Sequence, residues 1–276
     1  MALKGCKCGL AWAWMFLAAG GWAGGCAPPP GGVILDTSSV KPAADYTDLA
    51  IVLKRAVGRK GMLIPKAARE CASHLDAQLK LLAVSGPTVT PALFPSQEDT
   101  LAYWYNARAA WAIKLSLMQD CPDELSRACL EERSFPLDGR RMTLDEIDAI
   151  LGRQEDWRVL VAAPDVRQQR SALPDQPFTS ADIHKTIAER FNQFVADDRR
   201  FVIDVEQRKL LVPPVLWPLR HRLTDEHNRT YRTQGATLVT ALLPYVSGAG
   251  RRRLQDAIGY RTVSARPAGM LAFIQE

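Results

Sequence analysis

Two pairs of polar residues stand out by their surroundings. Asn106 and Arg108 interrupt the otherwise apolar stretch Thr100–Met118, TLAYWYNARAAWAIKLSLM, and Asp156 and Arg158 flank Trp157 just ahead of the apolar run 159–163. Gathered in one pocket, with an acidic or thiol group pointing in, Asn106, Arg108 and Arg158 would suit a hydrolase-like enzyme. Tied up inside the fold, the same residues are structural. Asn106 would then pair with backbone groups, and Arg158 with a carboxylate such as Asp156 or Asp148. The expectation favours the second arrangement, a chain without a catalytic set.

Other chemistry has less to stand on. His221 and His227, with Asp225 and Glu226 between them, are spaced like no helical ligand pair, and His74 and His184 are isolated. No metal and no cofactor are expected. The sequence holds no phosphate loop, nucleophile elbow or dinucleotide fingerprint. Its formal net charge is +5, two units of which come from Lys4 and Lys7. That is too mild for a nucleic-acid partner, and Arg251-Arg252-Arg253 reads as a solvated helix face.

Positioning these residues needs a framework. In Thr100–Met118, Leu101, Trp104, Arg108, Trp111, Leu115 and Met118 recur at helical spacing, and Ala102, Asn106, Ala109, Ala110, Ile113 and Leu117 fill the other side. A helix apolar nearly all round belongs in the middle of a domain. Around it the pattern predicts helices over 46–57 and 65–84, the latter opened by Pro65 and carrying Cys71 as a core thiol. Asp138-Gly139 is a turn, and Thr143 with Glu146 forms a capping box ahead of a helix ending at Gly152. Residues 159–163 read as a buried strand. Thr179 caps a helix with the stripe Ile183, Ile187, Phe191 and Phe194. Residues 200–204 and 209–212 form a hairpin, and helices follow over 235–246 and 251–258, with a last short strand at 270–274. The whole predicts a mostly helical α+β single domain, 45–276, packed around a small, largely antiparallel sheet.

The first residues read as an address. Lys4 and Lys7 precede an apolar run over 10–23, and Ala23-Gly24-Gly25 leads to Cys26. This is the pattern of a secretory signal, expected to span 1–25. The run falls short of the ~20 residues of a membrane-crossing helix. Residues 26–44, rich in Pro, Gly and Ser, read as a flexible tether. Exported to an oxidising space, Cys121 and Cys129 are expected to form a disulfide, with Cys71 bonded to either as the alternative.

Ala-Gly-Gly-Cys resembles a bacterial lipobox. The resemblance implies cleavage before Cys26, diacylglyceryl attachment to its sulfur and acylation of its amine, palmitate included. Ordinary secretion is the alternative. Ala27 after the cysteine implies sorting to the outer membrane, facing the periplasm.

The folded part resembles the bacterial domain of unknown function 547 family from about Tyr46 to Val246. Tyr103-Trp104-Tyr105-Asn106-Ala107-Arg108-Ala109-Ala110 is similar to the family's Phe-Trp-Ile-Asn-Ala-Tyr-Asn-Ala run. Phe135-Pro136, Gly139 and Thr143-Leu144-Asp145-Glu146-Ile147 resemble its entry into the next helix, and Asp156, Arg158, Val159 and Ala162 its Asp-Pro-Arg-Ile-His-Phe-Ala-Leu strand. The departures fall on the polar positions. Leu160 stands where the family has His, Asp165 and Arg170 where it has Cys, and Ala109 where it has the second Asn. With these polar parts missing and the lipobox resemblance at Cys26, the expectation is an envelope-associated binding or scaffolding module, held to the membrane by lipid, whose partner is an envelope protein or a small ligand.

Overall fold

The computed structural model describes residues 31–118 and 127–266. Its organising element is α4, Gln97–Ser116, preceded by α1 (Thr47–Ala56), α2 (Pro65–Glu70) and α3 (Ala72–Val84). Ser96 starts α4 with a reciprocal cap: its Oγ accepts from Asp99 N at 3.0 Å, and Asp99 Oδ2 accepts from Ser96 N at 3.2 Å. Twenty residues at 1.5 Å rise make α4 about 30 Å long, enough to run through a small domain. From Leu101 to Ile113 every residue of α4 is buried. Trp111 stacks on Phe135 at 4.2 Å between ring centres.

After α5 (Arg127–Leu130), β1 (Phe135–Leu137) and β2 (Arg140–Met142) form an antiparallel hairpin. Its two-residue turn, Asp138-Gly139, has positive φ at both positions, 50° and 72°. That geometry matches the twist of the flanking strands, and Gly adopts it without a steric penalty. The Asp138 carboxylate, buried, accepts from Thr88 N and Val89 N and anchors the loop ahead of α4. The capping box of Thr143 and Glu146 opens α6 (Leu144–Gly152).

Next come α7 (Arg158–Ala162), α8 (Ile183–Ala196), β3 (Val202–Asp204), β4 (Lys209–Val212), α9 (Arg220–Tyr231), α10 (Leu238–Leu242), α11 (Gly248–Asp256) and β5 (Arg261–Ser264). The fold is α+β, with the order β3-β4-β5 in the larger sheet. The pairs β1–β2 and β3–β4 are antiparallel, whereas β4–β5 is parallel.

Two hydrophobic clusters make the core. The first surrounds α4 with side chains from α1, α3 and α6. The second gathers Phe191, Phe194, Phe201, Leu210, Val212 and Leu223 with residues of α10 and α11. The short α7 serves both: Val159 and Ala162 face the first cluster, Trp157 and Val161 the second. Likewise α8 gives Ile183 and Ile187 to one and Phe191, Phe194 and Val195 to the other.

Several expectations need correction. The run 159–163 is helical, not a strand. Asp156 Oδ1 accepts from Arg158 N at 3.0 Å just ahead of the first turn, and five apolar residues carry no period that separates strand from helix. The helix expected over 65–84 is two helices, because the backbone leaves helical geometry at Cys71 (φ −94°, ψ 14°). Thr179 makes no cap; a 3-10 turn over Ser180–Asp182 intervenes, and α8 starts at Ile183. The helix expected over 235–246 reduces to α10 and a 3-10 turn at Leu243–Tyr245, bearing Pro244.

His221, Asp225, Glu226 and His227 lie on the helix α9, of which Leu223 is the buried residue. The described part of the expected tether, 31–44, lies against the domain. Val33 is buried, its N–H donating to Ser134 O at 2.8 Å, and Ala43 N donates to Ser85 Oγ at 3.0 Å. The expected strand at 270–274, Cys26 and the signal segment lie outside the described residues. Among the described residues no helix is long and apolar enough to cross a membrane.

Candidate functional site

The two polar residues of the central helix lead in different directions. Asn106 is wholly buried and binds the backbone of Phe178 twice: Nδ2 donates to Phe178 O at 2.9 Å, and Oδ1 accepts from Phe178 N at 2.8 Å. An amide is the side chain that offers both a donor and an acceptor, so one residue satisfies both groups of a buried peptide unit. The Phe178 ring meets Tyr105 edge-on at 4.8 Å.

Arg108, also wholly buried, sits in an ion cluster. Its Nε donates to Asp148 Oδ1 at 2.7 Å, and Nη2 donates to Asp148 Oδ2 at 3.1 Å and Asp165 Oδ2 at 3.0 Å. Its Nη1 donates to Pro164 O. Arg167 grips Asp165 with a bidentate fork at 3.1 and 2.7 Å and reaches Glu131 Oε1 at 2.5 Å. Arg170 donates to Asp148 Oδ2. Among the described residues three guanidinium groups thus face three carboxylates, and their formal charges cancel.

Burial alone would push Asp165 up. The guanidinium groups of Arg167 and Arg108 more than reverse this and hold its carboxyl far below the usual carboxylate range. Asp148 is lowered by Arg108 and Arg170 in the same way, against its burial. Carboxylates held so low are poor general bases at neutral pH, and guanidinium groups so engaged are poor electrophiles.

Asp156 and Arg158 close on each other, with Arg158 Nε 2.8 Å and Nη2 2.9 Å from the two carboxylate oxygens. The structure therefore does not bring Asn106, Arg108, Asp156 and Arg158 into one pocket. Asp148 partners Arg108, not Arg158. Glu226 accepts from Trp157 Nε1 at 2.6 Å, and among the described residues no group of His, Cys, Asp and Glu could hold a metal. Cys71 is free and buried. Cys129 is disulfide-bonded, which sets aside a pairing with Cys71; Cys121 lies outside the described residues, and with it the expected Cys121–Cys129 pair.

The open site lies elsewhere. A cleft of about 670 Å³ runs between the two halves of the core, lined by Lys60-Gly61, the 171–173 loop, the C-terminal half of α8, residues 197–200 and the start of α11. The central helix builds two of its walls. Through Asn106 it fixes Phe178, over whose ring lies the guanidinium of Arg190, a lining residue. Through Arg108 it fixes the chain at 164–165, where Asp165 N donates to Ser171 O at 2.8 Å and so sets the 171–173 loop.

Arg190 donates to Ala162 O at 2.9 Å and to Ala172 O at 2.5 Å, and no carboxylate pairs with it among the described residues. Burial and the repulsion of Arg200 bring its pKa down to about 10. Arg200, itself brought down to about 10 by burial, shares the carboxylate of Asp197 with Arg199 at 2.7 and 2.6 Å. The expectation from sequence missed this site. Its basic residues are scattered between positions 60 and 253, and no local spacing marks them.

No family model matches this chain, and no curated protein or solved structure matches it either.

Proposed function

We propose that this chain is a non-catalytic binding module of the bacterial cell envelope, held to the outer membrane through lipid on Cys26. The observation that carries the reading is the state of the buried polar residues on and around α4. Asn106 holds the Phe178 backbone and Arg108 holds Asp148 and Asp165, so the polar residues of the central helix are engaged in holding the fold. The resemblance to the domain of unknown function 547 family fits this reading. At the two positions where that family has Cys, Asp165 and Arg170 face each other across 3.8 Å and join the ion cluster.

Two measurements test the proposal. Fractionation of cells carrying Cys26→Ser is expected to release the protein from membranes into the soluble fraction; retention at full-length mass would point to an uncleaved anchor instead. Purified wild-type chain is expected to turn over p-nitrophenyl esters no faster than buffer. A turnover that disappears in Asn106→Ala at unchanged stability would favour the hydrolase-like reading around Asn106 and Arg158.

A further inference from the structure

From the arrangement of Arg190, Arg200 and Arg253 we infer that the cleft between the core halves binds a small organic anion, a carboxylate or phosphate head on an apolar body. The inference rests on the binding-module reading and names the ligand class of that module.

Charge gives the first argument. Five cationic residues line the cleft, Lys60, Arg190, Arg199, Arg200 and Arg253, against the two carboxylates of Asp197 and Asp198. Asp197 is taken up by Arg199 and Arg200 together. Arg190 has only carbonyl oxygens and an aromatic face as partners. Carbonyls satisfy its donors but leave its charge uncompensated. A half-buried charge without a counter-ion carries part of the desolvation cost of a buried one.

Arg253, on α11, brings a further cation to the cleft. An anion in the cleft would give these cations the negative charge they lack. Guanidinium groups suit that task because their planar fork matches carboxylate and phosphate oxygens two at a time.

Shape gives the second. The volume lies within the range of small-molecule sites, and Ala172, Leu173, Phe194, Ala196 and Ala249 supply apolar lining beside the charges. A bare inorganic ion would leave that surface wet. An anion with a hydrocarbon or aromatic body covers it.

Calorimetric titration of the full chain, with hexanoate and phenyl phosphate as probes and hexanamide as the neutral isostere, tests the inference. Saturable binding of either anion, with none of hexanamide, is expected; which anion binds more tightly assigns the head group. Binding should weaken with added salt. Arg190→Gln is expected to weaken it by about tenfold or more, the scale of one lost charge-assisted contact. Because Arg190 also holds two carbonyls, Arg253→Gln and the cleft-filling Ala249→Trp serve as variants away from that strut. Both should reduce binding while the thermal transition stays near wild type.

The inference is overturned if neither anion saturates up to about 10 mM, a limit beyond which affinity is weaker than ~3 kcal/mol. It is equally overturned if binding survives both Arg253→Gln and Ala249→Trp. Failure here leaves the binding-module reading standing on the fractionation and turnover results, which do not involve the cleft.

Discussion

The Arg190 guanidinium lies over the ring of Phe178, 5.2 Å from its centre, and the backbone of Phe178 is held at both its N–H and its C=O by Asn106. A residue at the middle of the domain thereby sets the position of a cation at the cleft. The chain of contact runs from amide to peptide unit, from ring to guanidinium, and from guanidinium to the carbonyls of Ala162 and Ala172.

Phe178→Leu keeps an apolar side chain but removes the ring face under Arg190 and the edge contact with Tyr105. A cation–π contact contributes roughly 0.5–2 kcal/mol depending on its exposure. The variant should lose about 1–2 kcal/mol in urea unfolding, and Arg190 should hold its place in the cleft less firmly. Unfolding at the wild-type midpoint would show that the ring contributes only volume.

Asn106→Ala leaves a buried N–H and a buried C=O of Phe178 without partners. Each costs about 1–3 kcal/mol. In a chain of this size each kcal/mol moves the transition by ~2–4 °C, so a drop of several degrees is expected. Asn106→Asp retains the acceptor for Phe178 N but opposes Phe178 O with a second oxygen, and should not rescue. Melting of Asn106→Ala at the wild-type temperature would contradict this account of the loop.

Arg108→Met removes the guanidinium that hydrogen-bonds to both Asp148 and Asp165. Breaking a buried ion network by deleting one partner costs about 3–5 kcal/mol, because the remaining charges stay desolvated. Arg108→Lys should recover little, since an ammonium cannot span Asp148, Asp165 and Pro164 O at once. Equal stability of the Lys variant and wild type, measured by urea unfolding, would show that charge alone suffices here.

Much of the frame was legible in the sequence. The nearly all-round apolar character of 101–117 pointed to a buried helix, and the Thr143–Glu146 spacing marked the start of α6. The 200–212 segment announced its hairpin through alternation and the Pro213-Pro214 stop. What was not legible has physical causes. Val159–Ala163 is too short for a period, and its state is decided by packing on α8. The helix α9 is polar nearly all round, so no stripe reveals it. β5 pairs in parallel with a strand about fifty residues earlier in the chain, a contact that local pattern does not encode. Arg108 was visible as a buried charge in need of a partner. Its partners were not, because Asp148 and Asp165 are brought to it only by tertiary packing. The cleft was hidden for the same reason.

The ion cluster also sets a pH dependence. Asp165 and Asp148 both have folded-state pKa values depressed below those of the unfolded chain. Depressed carboxylates give stability that is fully present above the unfolded value, near 4, and is lost as pH falls toward the folded value. Urea midpoints of the wild type should therefore hardly change between pH 7 and about pH 5 on account of this cluster, and should fall from about pH 4 downward. Other carboxylates titrate in the same window, so the comparison with Asp165→Asn isolates the effect. That variant should be less stable than wild type at pH 7, because Arg167 and Arg108 lose their shared counter-charge. The gap should then narrow as pH drops from 4 to 2, because the unfolded wild-type chain takes up a proton that folded Asp165 does not. Parallel curves for the two proteins across that range would mean that folding does not depress the pKa of Asp165.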